Sequence, residues 1–141
     1  MEHKTEDFEK QFPEIYKDVY CGFCLPAGWS DLVWKLSEDI QRELDRPENI
    51  EIKSSFKVAQ IKEKFGGLRF NTDGGPKSID KLIDVAEKES FHICETCGKP
   101  GLLRKGGWIR TLCDEHSRGR EAYPVKKDGS VDWDSLLDDA E

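Results

Sequence analysis

Four residues do most to limit what this chain can become: Cys94, Cys97, Cys113 and His116, spaced C-x2-C-x15-C-x2-H. Two half-sites, each holding donors three residues apart and joined by a short loop, can close a tetrahedron around one zinc ion. A site with four protein donors is closed: it builds a fold and leaves no position for a substrate. The spacing therefore predicts a unit over residues 94–122 held by one structural Zn2+, and it predicts no catalytic metal.

The rest of the chain explains why such an ion is useful. Hydrophobic and charged residues each make up 36% of the 141 residues, so the core is lean and its 4 Trp, 3 Tyr and 7 Phe supply much of the bulk. Zinc binding contributes roughly 10–16 kcal/mol in small finger peptides, which offsets a small core. No apolar run reaches the length of a membrane span or of a signal-peptide core, so the expected address is cytoplasmic, with no membrane partner. The 5 cysteines cannot all pair with one another, and in a reducing compartment thiols serve metals or stay free.

Periodicity divides residues 1–93 into an α+β core. Phe8, Phe12, Ile15, Tyr16 and Val19 have helical spacing interrupted by Pro13, predicting one or two short helices over 4–19. Residues 21–28 read as a turn. Ser30 reads as the N-cap of a helix over 31–45 whose stripe is Trp29, Leu32, Val33, Leu36, Ile40 and Leu44. Phe56, Val58 and Gln60 alternate against Lys57, Ala59 and Ile61, and Gly66-Gly67 permits a reversal before Leu68-Arg69-Phe70, which predicts a hairpin. Ser78 reads as the cap of a last helix, 78–89. The expected architecture is a small antiparallel sheet or hairpin packed by two to four helices, followed by a treble-clef-like zinc unit. In that unit Cys94–Gly98 forms a knuckle, 101–112 a short hairpin, and Cys113 opens a helix whose first turn brings His116 to the same ion. A zinc ribbon is the alternative arrangement. Residues 123–141 read as a linker and an acidic tail.

Charge separates two functional readings. The whole chain carries −7, yet 94–120 holds Lys99, Arg104, Lys105, Arg110, Arg118 and Arg120 against Glu95, Asp114 and Glu115. An acidic chain is a poor general binder of polyanions, so the first expectation is a non-enzymatic protein-interaction module. The alternative is a nucleic-acid-binding zinc protein using Arg104, Lys105, Arg110, Arg118 and Arg120. A third reading, a metal-dependent nuclease, would need His92 together with Asn71 and Asp73. The sequence contains no Ser/His/Asp or Cys/His constellation, P-loop or HExxH, and a small-molecule substrate is not expected. The strand run itself can be read as a basic, aromatic face (Lys62, Lys64 and Arg69 beside Phe65 and Phe70) or as a half-buried strand pair, and the latter is simpler. Cys21 and Cys24 stay open between free thiols, half of a second metal site and a redox dithiol. The tail from Asp132, with Trp133, Leu136 and Leu137 among acids, reads as a segment that docks on a partner, covers the basic zinc face, or only solvates.

Gly28-Trp29, the run Gln60–Phe70 (QIKEKFGGLRF) and the Cys94–His116 unit with Gly107-Trp108 and Arg110-Thr111-Leu112-Cys113 resemble a family of small phage and prophage proteins. The likeness covers residues 21–118. It carries no assigned activity, and the Cys21–Cys24 turn and acidic tail depart from it. What the resemblance implies is context: a phage-borne accessory protein that binds a host or viral protein, blocking a host defence being one such role.

Overall fold

The computed structural model describes residues 3–132. It is an α+β protein with three helices and two small antiparallel sheets: α1 Thr5–Gln11, α2 Ser30–Leu44, β1 Lys57–Lys64, β2 Gly67–Asp73, α3 Ser78–Ser90, β3 Leu102–Arg104 and β4 Arg110–Leu112. None of the described helices is long and apolar enough to cross a membrane.

Helix α1 ends at Gln11, directly before Phe12-Pro13, where the proline ring disfavours helical geometry at the preceding residue. Its Phe8 is buried, together with Phe12, Ile15 and Tyr16 from the turns that follow. The stripe of α2 meets them: Val33, Leu36, Ile40 and Leu44 are buried behind Trp29. Tyr16 hydroxyl and Ser37 Oγ share a buried hydrogen bond, and burial pushes the Tyr16 phenol well above its ordinary pKa.

Neither serine expected to cap a helix does so. Trp29 occupies the N-cap of α2 and Lys77 that of α3, with no side-chain cap bond at either. Both hydroxyls act at long range instead. Ser30 Oγ accepts from the His3 backbone N–H, and Ser78 Oγ donates to Glu43 Oε1, 2.7 Å away, tying α3 to the end of α2.

Strands β1 and β2 pair antiparallel through a turn whose central residues, Phe65 (φ 53°) and Gly66 (φ 82°), both lie at positive φ. Two such residues meet the requirement of a type I′ hairpin turn. The expected alternation fails midway. Val58 pairs with Thr72 but Gln60 pairs with Asn71, so Ala59 is the extra residue of a bulge. A bulge moves the following side chains to the other face. Phe56 and Val58 point inward before it, Ile61 does so after it, and Gln60 turns outward.

Both edges of this two-stranded sheet are covered. Residues 21–24, read as a turn, lie along β1: Cys21 N–H donates to Ala59 O, Ile61 N–H to Gly22 O and Cys24 N–H to Ile61 O. On the other edge α3 supplies side-chain acceptors, Ser90 Oγ for the Leu68 N–H at 2.8 Å and Glu87 Oε2 for the Phe70 N–H at 2.9 Å. Ser90 is fully buried. Ser90→Ala leaves the Leu68 N–H without an acceptor and is expected to cost about 1–3 kcal/mol. Urea unfolding should show a lower midpoint at unchanged slope.

The second sheet joins β3 and β4, with Leu102 opposite Leu112, Leu103 opposite Thr111 and Arg104 opposite Arg110. The end of the zinc unit and the stretch read as a linker from residue 123 add to it. Lys105 N–H bonds Glu121 O, Tyr123 N–H bonds Leu103 O, and Tyr123 and Val131 bury against Leu103. The acidic tail beyond Asp132 lies outside the described residues.

Candidate metal centre

Cys94 and Cys97 stand on the expected knuckle. Cys94 N–H donates to Lys99 O at 2.8 Å and Gly98 N–H to Cys94 O at 2.9 Å, with Gly98 at φ 82°. The hairpin β3–β4 then carries the chain back to Cys113. The helix expected there is absent: residues 114–116 form a single turn, closed by His116 N–H to Cys113 O at 3.2 Å. One turn is enough, because positions i and i+3 already share a face.

Four donor atoms converge. Cys94 Sγ lies 3.8 Å from His116 Nδ1, Cys113 Sγ 3.2 Å from the same nitrogen, and Cys97 Sγ 3.6 Å from Cys113 Sγ. All four donors fall within 4.8 Å of one another, the geometry of a possible metal site. Cys94 and Cys113 are buried, His116 is half-buried and Cys97 is exposed. Burial opposes ionisation of Cys94, but the backbone N–H groups of Cys113, Cys97 and Thr96 donate to its sulfur and bring the thiol down to about 6. At Cys97 the Lys99 N–H acts downward and is outweighed by burial and the neighbouring thiols, so its pKa is raised. One thiolate is thus prepared at Cys94, and a cation would supply what the Cys97 thiol needs in order to ionise.

The knuckle is welded to the main core. Gly28 N–H donates to Glu95 O at 2.9 Å, Trp29 Nε1 to Ile93 O at 2.8 Å, and Thr111 Oγ1 to Gly66 O at 2.7 Å. The residue types alone do not reveal these joints, although Gly28-Trp29 directly before α2 marks where one of them lies.

The arginines of the supposed basic face have structural work. Arg104 is 7% exposed. Its guanidinium donates to Leu112 O at 2.9 Å, Arg120 O at 3.1 Å and Asp114 Oδ1 at 3.0 Å. Arg110 Nε meets the buried Glu95 carboxylate, and an Arg120 guanidinium nitrogen donates to Trp108 O. Burial pushes the Glu95 carboxyl up while Arg110 pulls it down. Lys105 stands 5.4 Å over the Tyr123 ring, Lys99 lies 3.9 Å from Glu115, and Arg118 is exposed. Arg104→Met keeps the bulk but strips two carbonyls of their donor, an expected loss of about 1–3 kcal/mol read by denaturant titration. Asp114→Asn should leave the midpoint in place, because Asp114 is fully exposed and such pairs contribute little.

The remaining candidates do not assemble. Asn71 Nδ2 donates to Gln60 Oε1 and Asp73 accepts from the Tyr20 hydroxyl, while His92 is exposed at the end of α3. Cys21 and Cys24 are exposed free thiols. Among the described residues, the one possible metal cluster of His, Cys, Asp and Glu is the set of four above. Comparison with protein-family models, curated proteins and solved structures finds no match to this chain.

Proposed function

We propose that the protein is a zinc-stabilised, non-enzymatic interaction module that binds another protein. The observation that carries this reading is the closed Cys94, Cys97, Cys113, His116 set. A tetrahedral zinc with bonds of about 2.3 Å to sulfur and 2.0 Å to nitrogen needs donor–donor edges of roughly 3.5–3.8 Å. Three of the six donor–donor separations, 3.2, 3.6 and 3.8 Å, lie near those edges, and all six fall within 4.8 Å. Three thiolates and an imidazole are the donor set zinc favours, and they leave no vacant position for catalysis. The engagement of Arg104, Arg110 and Arg120 inside the unit weighs against the nucleic-acid alternative. The resemblance of residues 21–118 to phage and prophage proteins supports a host or viral protein as the partner, met in the bacterial cytoplasm, with inhibition of a host defence as one outcome.

Affinity purification of the tagged, zinc-loaded protein from host lysate, with and without nuclease, tests the reading. A stoichiometric protein that survives nuclease is the expected result. Recovery of nucleic acid alone, lost on treatment, would replace it with the nucleic-acid reading.

A further inference from the structure

The hairpin turn of β1–β2 and the tip of the β3–β4 hairpin stand side by side, and a groove of about 510 Å³ opens between them. Phe65, Trp108 and Ile109 supply its apolar surface, and Lys62, Glu63 and Lys64 line it as well. The two rings are 60% and 65% exposed. A volume of this size suits a ligand side chain or a short segment.

Phe65 is held in place at some cost and Trp108 by a hydrogen bond. Phe65 sits at positive φ, where a bulky residue is an outlier and Asn or Gly is the ordinary choice. Strain retained at an exposed ring points to what the ring touches. Trp108 is fixed through its indole, Nε1 donating to Glu63 Oε1 at 3.1 Å. Beneath them Gly66 locks the two hairpins together: a Cβ there would come within 2.3 Å of Leu103 Cδ1. The groove is therefore preformed, which lowers the entropic cost of binding.

Its charge selects the occupant. Glu63 is already engaged, since Oε2 accepts from the Gly66 N–H at 2.7 Å and Oε1 from Trp108. Lys62 pairs across the sheet with Arg69, a like-charge opposition that is unfavourable in isolation. Lys64 is two residues along on the same face and lies 5.7 Å from the Phe65 centroid. None of the three cations forms an ion pair with a carboxylate among the described residues. Two lysines in the groove with the aromatic rings, and Arg69 opposite Lys62 on the neighbouring strand, on a chain of net −7, suit a ligand with a few negative charges better than a continuous polyanion.

We propose that this groove is the docking site for an acidic peptide segment of the partner protein, with an aromatic or aliphatic anchor side chain between Phe65 and Trp108 and flanking carboxylates on Lys62 and Lys64. The proposal rests on the interaction-module reading above and names its surface and the chemistry of its partner.

A fluorescent peptide with a Trp-Leu-Leu centre flanked by aspartates, titrated with the zinc-loaded full chain and followed by anisotropy, is the first probe. Saturable binding is expected, with loss of affinity when asparagine replaces the aspartates and when salt is raised. Trp108→Ala and Phe65→Gly should each weaken binding roughly 30-fold or more, as removal of a central anchor does. Phe65→Gly relieves the positive φ, so its zinc content and melting point report an intact fold. Lys62→Glu with Lys64→Glu should weaken binding about tenfold or more. Equal binding by wild type and these variants overturns the proposal, as does no binding, or binding of single-stranded oligothymidylate that these variants lose in place of the peptide. A protein captured from lysate equally by wild type and by Phe65→Gly/Trp108→Ala would leave the interaction-module reading standing and remove the groove from it.

Discussion

Cys97→Ser is expected to release the metal and open residues 94–120, while the core of Phe8, Trp29, Val33, Ile40, Ile61 and Leu68 stays folded. The two parts bury separate clusters, since Cys94, Leu112 and Cys113 form one and Leu103, Tyr123 and Val131 another. Those two small clusters cannot by themselves offset the ordering of residues 94–120 at about 1–2 kcal/mol per residue of backbone. Binding free energy at the four donors is then folding free energy for the unit. Losing a group behind a ligand costs roughly 10–100-fold in metal affinity, and losing the ligand itself should cost more. Elemental analysis of purified protein gives the metal content, and amide exchange gives the location of opening. Retained metal at wild-type affinity would remove Cys97 from the ligand set.

Acid should act in the same direction. The Cys94 thiol falls from its ordinary 9.0 to about 6 in the folded chain. A group whose folded pKa is depressed stabilises the fold above its unfolded value and loses that contribution as pH falls through the folded one. Without the ion the window for Cys94 runs from about pH 9 down to about pH 6, and a bound cation extends it to lower pH. Metal loss adds to it, because each thiol that takes up a proton leaves the ion. Exchange protection of 94–120 should therefore fall with pH before that of α2 does.

The helices and the ligand set were legible because each obeys a local period. An apolar stripe at 3.6 residues places α2 and α3, Gly66-Gly67 places the hairpin turn to within one residue of its centre at Phe65-Gly66, and a donor spacing of three places each half-site. What escaped the sequence depends on residues far apart. The bulge at Ala59 turns Ile61 rather than Gln60 inward, and nothing in the run itself marks the extra residue. Ser30 and Ser78 look like caps by position, yet their partners His3 and Glu43 lie 27 and 35 residues away. Arg104 reads as a surface cation until three acceptors from β4 and the turns after it enclose the guanidinium. The helix expected at Cys113 was inferred from a motif, whereas one hydrogen-bonded turn already meets the geometric need. The groove was half visible. Lys62, Lys64 and Phe65 stood out, but Trp108 joins them only when the second hairpin docks on Gly66.

Gly28→Ala should have an effect out of proportion to its size. A methyl group at this position would lie 1.9 Å from Cys94 O, 2.7 Å from Glu95 C and 2.8 Å from Gly98 N. All three are backbone atoms of the metal knuckle, so no side chain can rotate aside. On the other side Trp29, fully buried, holds the adjacent backbone by its bond to Ile93 O. Relief requires either moving the indole within the main core or pushing the knuckle away and breaking the Gly28 N–H bond to Glu95 O. Overpacking in a site that can adjust costs about 1–3 kcal/mol; here backbone faces backbone, and the expected loss is about 3 kcal/mol or more. Because metal binding and folding of the unit are coupled, the same substitution should weaken the metal, which a chelator competition measures directly. Gly107→Ala is the control, since a methyl group there meets nothing within 4 Å, and it should leave both stability and metal affinity unchanged. If Gly28→Ala behaved like Gly107→Ala, the knuckle and α2 would not be joined as described. If it lowered both together, the joint between the knuckle and the start of α2 would be the place where metal binding and core packing are coupled.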